Sequence, residues 1–273
     1  MANDALRYIQ VGELIRSMTE DPLPHDDSLA GQTVSLAAED GTLTRLAFSA
    51  GGGLEWEIAG GPGAGLRGRE ECRITRPRPG VVAVDYVAGT SRATSVTIVL
   101  DLERGAATTV SGTLPTADQA ARSAFALATA GEELASVAAD IVPSFIDAPW
   151  QAGAHPHVPT TDLVGRRAEY VYTRTEAYEH IYLNEHFYTW QCLRGAEQGL
   201  ADTDRCHHRR LGDQLYLFVW REKIIPTLGV VLVDWAAERS TGKLFGYEGS
   251  DFGAVVSTPI ASQAHLLNVT TYV

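Results

Sequence analysis

Three strand-like runs follow one another within residues 165–193, GRRAEYVYTRTEAYEHIYLNEHFYTWQCL. Each run is rich in aromatic and β-branched residues, and short polar segments separate the runs. This pattern is typical of antiparallel strands joined by hairpins. The interval therefore predicts the start of a meandering antiparallel sheet.

The same layout occurs earlier in the chain, at an offset of 134 residues. Four glycine, tryptophan or aspartate anchors match in order. Because self-similarity at a fixed spacing indicates a repeat, we predict two copies of one small sheet. The aligned anchors are Gly31 and Gly165, Trp56 and Trp190, Gly112 and Gly246 and, at an offset of 133, Asp101 and Asp234.

Ten strand-like runs carry the pattern, five in each copy. Meandering strands without intervening helices are best accommodated in closed barrels, because closure removes exposed strand edges. We therefore predict a mainly β protein with two tandem antiparallel β-barrels. The runs are Thr33–Ala38, Leu43–Ser49, Leu54–Ile58, Val81–Val87 and Thr94–Leu102, then Arg167–Thr173, Tyr178–Leu183, Phe187–Leu193, Gln214–Arg221 and Thr227–Trp235.

Two segments outside these runs have helical character. The alanine-rich interval Asp118–Ala139 predicts a helical connector, and a proline-rich stretch from Pro143 to Pro159 follows it. A 3.6-residue apolar rhythm before Gly31 predicts a short N-terminal helix. The predicted domains are an N-terminal barrel over residues 1–113, a connector over 114–160 and a C-terminal barrel over 161–273.

Composition excludes several classes of partner. The chain has 273 residues, 45% of them hydrophobic, which is typical of a folded globular protein. Its formal net charge of −12 argues against nucleic acid, since phosphate binding needs clustered Lys and Arg. We expect no signal peptide, no membrane span and, with three scattered cysteines, no disulfide framework. We therefore expect a cytoplasmic protein without a membrane partner, and a homodimer is compatible with the connector.

Aromatic and titratable residues are concentrated in the second copy. Eight of the ten tyrosines and seven of the eight histidines lie in the second half of the chain. Because alternate residues of a strand face opposite sides, the apolar positions of the first copy mark the interior of the second. We predict that the second barrel is lined by polar aromatic groups that hold a small, flat ligand. The predicted ligand-binding residues are Tyr170, Tyr188, Trp190, Tyr216 and Trp220.

Four further residues of this lining are candidates for acid–base catalysis. His180 replaces Leu46 of the first copy and would move a proton near neutral pH. Glu222 would have a raised pKa if it is buried. Tyr172 and Tyr182 would donate a hydrogen bond to a developing oxyanion. The alternative is that the tyrosines reach the rim of the barrel and that Glu222 is a solvated charge.

Other motifs do not predict a cofactor. The run Asp202–His208 contains metal-ligating residue types, but its adjacent Cys-His-His cannot easily converge on one ion. The glycine-rich segments 51–53 and 60–63 do not open a helix after a strand, as a phosphate-binding loop must. We therefore expect neither a metal nor an organic cofactor.

A recognisable pattern runs through the segments Tyr178–Asn184, Tyr188–Gly195, Asp202–Cys206, Trp220–Pro226 and Gly242–Gly246. It resembles the MoaF family, which is named for molybdenum cofactor biosynthesis. The resemblance implies two lipocalin-like barrels of the calycin type. The second copy is also similar in pattern to phenolic acid decarboxylases, single barrels that use paired tyrosines, an arginine and a glutamate without a cofactor. Tyr170 and Tyr172 match the paired tyrosines, whereas the arginine and the glutamate have no secure match here.

Two classes of function remain. The first is a cofactor-independent acid–base enzyme, a lyase, isomerase or cyclase, that acts on a small aromatic or conjugated acid in the C-terminal barrel. The second is a non-catalytic binding or carrier protein of the lipocalin type. An interaction scaffold is a third possibility, which a solid interior without a cavity would favour.

Overall fold

A computed structural model describes residues 7–18, 21–89, 91 and 93–271; residues 1–6, 19–20, 90, 92 and 272–273 lie outside the described residues. The described chain divides into two compact units. We call Leu23–Thr113 with Ala139–Val158 the N-terminal unit. The C-terminal unit consists of the described residues of Met1–Pro22, Leu114–Ala138 and Pro159–Val273.

One antiparallel sheet forms the N-terminal unit. Its strands are β1 (Thr33–Ala38), β2 (Leu43–Ser49), β3 (Gly53–Gly60), β4 (Arg67–Glu71), β5 (Arg73–Arg78), β6 (Val81–Val87), β7 (Thr94–Asp101), β8 (Ala106–Thr113) and β9 (Ala138–Ile146). They are arranged in the order β4-β3-β2-β1-β9-β8-β7-β6-β5. Aliphatic side chains fill its core, among them Leu36, Leu46 and Val84.

A second antiparallel sheet forms the C-terminal unit. Its strands are β11 (Arg166–Val171), β12 (Ala177–Tyr182), β13 (Phe187–Arg194), β14 (Ala201–Gly212), β15 (Leu215–Glu222), β16 (Thr227–Asp234), β17 (Arg239–Tyr247) and β18 (Val255–Val269), and the two-residue β10 (Val158–Pro159) lies at the junction of the units. Strand β14 pairs with β13 through its first half and with β15 through its second half. These two ladders close the sheet into a barrel.

In the first sheet, β4 and β5 stand at the two ends of the strand order, and comparison with β14 explains this arrangement. At the offset of 134 residues, β14 corresponds to β4 and β5 together, which only Cys72 separates. Both copies therefore use the same strand to close the barrel, continuous in one and interrupted in the other. The predicted mainly β class, with two barrel-like sheets in tandem, is confirmed.

Backbone hydrogen bonds repeat at the predicted offset. The Gly165 N–H donates to the Tyr182 carbonyl at 2.8 Å, and the Gly31 N–H donates to the Phe48 carbonyl at 2.9 Å. Both glycines have positive φ angles, 82° and 77°, which other residues rarely adopt. The matched glycine therefore forms the same tight turn directly before the first strand of each copy.

A buried carboxylate links the closing strand to its neighbours. Asp204 accepts a hydrogen bond from the indole N–H of Trp190 at 2.9 Å and another from the backbone N–H of Lys223 at 3.1 Å. Trp190 lies on β13, and Lys223 directly follows β15. The N-terminal unit contains the same link: Glu70 accepts from the Trp56 indole N–H at 3.4 Å and from the Gly89 backbone N–H at 2.9 Å.

The connector predicted to be helical over Asp118–Ala139 is helical only in its first part. Two short helices stand there, α2 (Ala117–Ala120) and α3 (Ala124–Thr129). Ser123 separates them because its side chain accepts from the Ala126 N–H at 3.1 Å and starts a new helix. Strand β9 then covers Pro143, which the sequence places in an irregular stretch.

The predicted N-terminal helix is α1 (Val11–Met18), and it belongs to the C-terminal unit. A methyl group on Gly246 would meet the Val11 side chain at 2.3 Å, and one on Gly12 would meet the Glu248 carbonyl oxygen at 2.5 Å. Glycine thus permits close packing of α1 on the strand. The compact units therefore differ from the predicted division of the chain at residues 113 and 160. Among the described helices, none has the length and apolar character to span a membrane.

We predict that Asp204→Ala lowers the free energy of unfolding by about 2 to 3 kcal/mol, because two buried N–H donors lose a charged acceptor. Urea unfolding of the full chain measures the change. Thr203→Ala is the matched control, since Thr203 is the adjacent residue on β14 and its hydroxyl pairs with Thr189 at the exposed surface. We expect less than about 0.5 kcal/mol for the control. Equal effects of the two substitutions would contradict a structural role of the link.

Candidate functional site

The structure buries eight of the nine predicted site side chains in the C-terminal barrel. Strand register explains this, because His180 lies opposite Ala168 on one side and Trp190 on the other, so the three share the inner face. Glu222 is partly exposed at the end of β15. The buried eight are Tyr170, Tyr172, His180, Tyr182, Tyr188, Trp190, Tyr216 and Trp220.

Aromatic rings surround His180. Its ring centroid lies 4.5 Å from that of Tyr170, 5.0 Å from that of Tyr188 and 6.0 Å from that of Trp220. The imidazole is 5% exposed, and its Nδ1 has no hydrogen-bond partner among the described residues. Burial lowers the pKa of His180 to about 3. The ring is therefore neutral at physiological pH.

The interior tyrosines are neutral phenols. Burial raises the pKa values of Tyr170, Tyr172 and Tyr188 above the ordinary value. The hydroxyl groups of Tyr170 and Tyr182 are hydrogen bonded to each other at 2.6 Å. This pair joins the strands β11 and β12 inside the barrel.

Glu222 is held by the tryptophan two residues before it. The Trp220 indole N–H donates to the Glu222 Oε1 at 2.9 Å. The Trp220 ring packs against Gly229 on β16, where a methyl group would meet the ring at 2.1 Å. Burial and, next, the negative charge of Asp204 raise the pKa of the Glu222 carboxyl well above its ordinary value. Glu222 therefore keeps its proton to a higher pH than an exposed carboxyl.

Several charged groups lie at the same end of the barrel as Glu222. The ammonium group of Lys223 contacts Asp202 and lies 3.5 Å from the Asp204 Oδ1. Glu197 accepts hydrogen bonds from the Tyr178 hydroxyl at 3.1 Å and from the Ile9 backbone N–H at 3.3 Å. We call Glu197, Asp202, Asp204, Glu222 and Lys223 the acidic cluster.

Of this cluster, only Glu222 was among the predicted site residues; Glu197, Asp202, Asp204 and Lys223 were missed. Asp204 is 2% exposed, and burial raises the pKa values of Asp204 and Glu197. A sequence signal exists for Asp204, since it alternates with Asp202, Cys206 and His208 along β14 and the last two are also buried. Glu197 lies in the turn before β14, where no periodicity marks it.

Tyr216 lies at the opposite end of the barrel from Glu222. It lies six residues before Glu222 on β15, which at the rise of an extended strand is about 20 Å. Its hydroxyl donates to the Asp162 Oδ2 at 3.1 Å, and Asp162 also binds the guanidinium of Arg210. Tyr216 therefore belongs to a polar group at the opposite end of the barrel.

The residues of the Asp202–His208 run point alternately in and out. The Cys206 Sγ lies 3.4 Å from the His208 Nε2, and His207 faces the other side of β14. In the part of the chain that the structure describes, no three His, Cys, Asp or Glu side chains are grouped so that they could hold a metal ion.

The two copies differ most at this site. At the offset of 134 residues, Ala88 stands in the place of Glu222 and Leu46 in the place of His180. The link between Trp190 and Asp204 is present in both copies, as Trp56 and Glu70. The link therefore supports the barrel, whereas Glu222 and His180 are specific to the C-terminal unit.

Family comparisons match both copies. The MoaF N-terminal domain matches residues 6–116, and the MoaF C-terminal domain matches residues 157–270. Protein MoaF of Klebsiella aerogenes is 45% identical over 205 residues, which cover 75% of this chain and 76% of that protein.

Similarity to solved structures is low. A putative beta-lactamase from Burkholderia vietnamiensis is 18% identical, with a TM-score of 0.33, and the match covers 47% of this chain and all but 1% of that one. The beta chain of DNA polymerase III from Streptococcus pneumoniae TIGR4 is 6% identical over 93% of this chain and 82% of that chain, with a TM-score of 0.15. Neither similarity carries an argument about fold or function. The two domain matches and the Klebsiella relative decide the assignment: this chain belongs to the MoaF family.

Proposed function

We propose that the C-terminal barrel is a cofactor-independent acid–base enzyme of the lyase, isomerase or cyclase type, and that Glu222 transfers the proton. Its substrate is a small aromatic or conjugated molecule. The observation that supports this most is the Trp220-bound carboxyl of Glu222 within an aromatic wall, at a position where the N-terminal copy has Ala88.

Glu222 has the properties of a general acid. Its raised pKa keeps a proton available closer to neutral pH, where general acid catalysis is most effective. The hydrogen bond from Trp220 fixes the orientation of the carboxyl group. Its partial exposure gives a ligand at the end of β15 a path to it. A carboxyl in this setting can give a proton to a substrate and take one back.

His180 is suited to a different role from the one that its residue type predicts. Because its pKa is lowered to about 3, the imidazole is neutral near pH 7 and does not take up a proton there. The neutral imidazole instead offers a hydrogen-bonding atom, Nδ1, on a ring that packs against Tyr188 and Trp220. We propose that His180 orients the substrate and that Glu222 alone moves the proton.

The tyrosines also have two different roles, some in the wall of the barrel and one beside Glu222. The Tyr182 hydroxyl is already bonded to Tyr170, so this pair supports the wall. Tyr172 lies close enough to Glu222 for the negative charge of that carboxyl to raise its pKa further. A neutral phenol at this place is able to donate a hydrogen bond to an oxyanion that develops during proton transfer.

We predict that Glu222→Gln slows turnover about 100-fold or more, because the amide cannot transfer the proton. The full-length protein is incubated in heavy water with a bacterial small-molecule extract, and mass spectrometry follows compounds that are consumed, formed or deuterated. We expect at least one compound that the unchanged protein converts and the variant does not. Glu185→Gln is the matched control, since Glu185 is exposed in the turn between β12 and β13, and we expect it to retain the full rate.

Two results would contradict this proposal. Equal conversion by Glu222→Gln would assign the proton to another group. The absence of any converted compound would overturn the enzymatic function and favour the carrier hypothesis.

The neutral state of His180 has its own test. In the unfolded protein His180 takes up a proton below about pH 6.5, whereas in the folded protein it stays neutral until about pH 3. The free energy of unfolding therefore falls as the pH drops from about 6.5 to about 3. His180→Leu, the residue of the first copy, removes this dependence. We predict that the free energy of unfolding then falls less steeply between about pH 6 and pH 4, by up to about 1.4 kcal/mol per pH unit. Identical slopes in urea unfolding at several pH values would show that the pKa of His180 is the same in the folded and the unfolded protein, which would contradict the neutral buried imidazole.

A further inference from the structure

We infer that the ligand of the C-terminal barrel is a small aromatic ammonium ion, bound between the carboxylates and the aromatic rings at the Glu222 end. This inference rests on the proposed function, because it assigns the substrate class of the same site. It replaces the carboxylate of the predicted acid with a positively charged group.

The charge of the acidic cluster supports a cation. Four carboxyl groups share one ammonium group, Lys223, and that group is already bound by Asp202 and Asp204. Glu222 and Glu197 raise the negative charge further when they are ionised. A carboxylate ligand would add repulsion at short range in a partly buried site, whereas an ammonium group would offset it.

Aromatic rings next to the acidic cluster also favour a cation. Tyr8 packs edge-on against Trp190, with ring centroids 6.4 Å apart, and Tyr188 lies 6.1 Å from Trp220. The indole N–H groups of both tryptophans are bound to carboxylates of the cluster, which fixes the two rings beside the negative charges. Cations are attracted to the faces of such rings, most strongly to those of tryptophan.

His180 supplies an independent observation. Its Nδ1 is buried and unpartnered among the described residues, and its ring lies 6.0 Å from that of Trp220. An ammonium group has three N–H donors and no acceptor, and a neutral imidazole nitrogen is able to accept one of them. An ammonium ligand therefore carries enough donors to pair with both Glu222 and His180.

The same geometry couples binding to proton release. A cation beside Glu222 favours the ionised carboxylate, so binding expels a proton and the affinity rises with pH through the pKa of this group. With such a ligand bound, Glu222 first accepts the proton in the proposed reaction and then gives it back. A carboxylate ligand has the opposite dependence, because it requires the protonated form. The charged and titratable groups that act on Glu222 or are influenced by it are Asp202 and Asp204 from β14, Glu197 from the turn before β14, Tyr172 and Tyr188. Lys223, after β15, pairs with Asp202 and Asp204.

Three probes with one ring and different charge test the inference: benzylammonium, benzyl alcohol and benzoate. Titration calorimetry on the full-length protein measures their affinities near pH 6 and near pH 8. We expect benzylammonium to bind about tenfold or more tightly than benzyl alcohol, and benzoate to bind most weakly. We also expect the affinity for benzylammonium to increase at the higher pH and to be accompanied by proton release into the buffer.

Substitutions assign the effect to the site. Glu222→Gln should weaken benzylammonium about tenfold and change benzyl alcohol by less than about twofold, since only the charged probe loses its partner. Glu185→Gln, an exposed carboxyl outside the cluster, should change neither affinity.

The possible failures are distinguishable. Benzoate or benzyl alcohol binding as tightly as benzylammonium, with Glu222→Gln still affecting binding, would overturn the ammonium class and leave the acid–base site standing. If no probe binds, or if Glu222→Gln alters none of the affinities, both the ammonium class and the proposed use of this site are wrong.

Discussion

The buried carboxylate of Asp204, on the strand that closes the C-terminal barrel, connects that strand to both of its neighbours. Strand β14 must serve two ladders at once, and Asp204 lies where they meet. It receives N–H donors from both neighbours, Trp190 on one side and Lys223 on the other. A charge at 2% exposure requires such donors, so the carboxylate and its two partners depend on one another. The end of β15, with Trp220 and Glu222, is positioned by the same link.

The link occurs in both copies, which distinguishes the residues that support the barrel from those that are specific to the candidate site. The N-terminal unit builds it from Glu70, Trp56 and Gly89, in a barrel whose core is mainly aliphatic. What both copies share therefore supports the barrel. What only the C-terminal unit has is the polar aromatic wall, with Glu222 at its end and a neutral His180 within it. Because the scaffold is common to both copies, these differences are the strongest indication of where a ligand binds.

Much of this arrangement is predictable from the sequence, and the failures have physical reasons. Strands β1, β2 and β6 have the predicted bounds, because alternation and glycine turns are local signals. Alternation also predicts the burial of His180, but it does not give the position of a residue along the barrel axis, so Tyr216 was predicted to share a site with Glu222, which lies about 20 Å away along β15. Asp204 was missed because a charged residue in sequence is most often exposed, and only its partners in space permit its burial.

The central claim is that the C-terminal barrel holds Glu222 as a protonated acid in an acidic, aromatic setting. Carbon-13 NMR of the full-length protein labelled at its glutamate carboxyl groups measures this directly, with Glu222→Gln identifying the resonance. We predict a titration midpoint well above about 4.3, the ordinary value for glutamate. A midpoint at the ordinary value would show a solvated carboxylate and would contradict this account of the site.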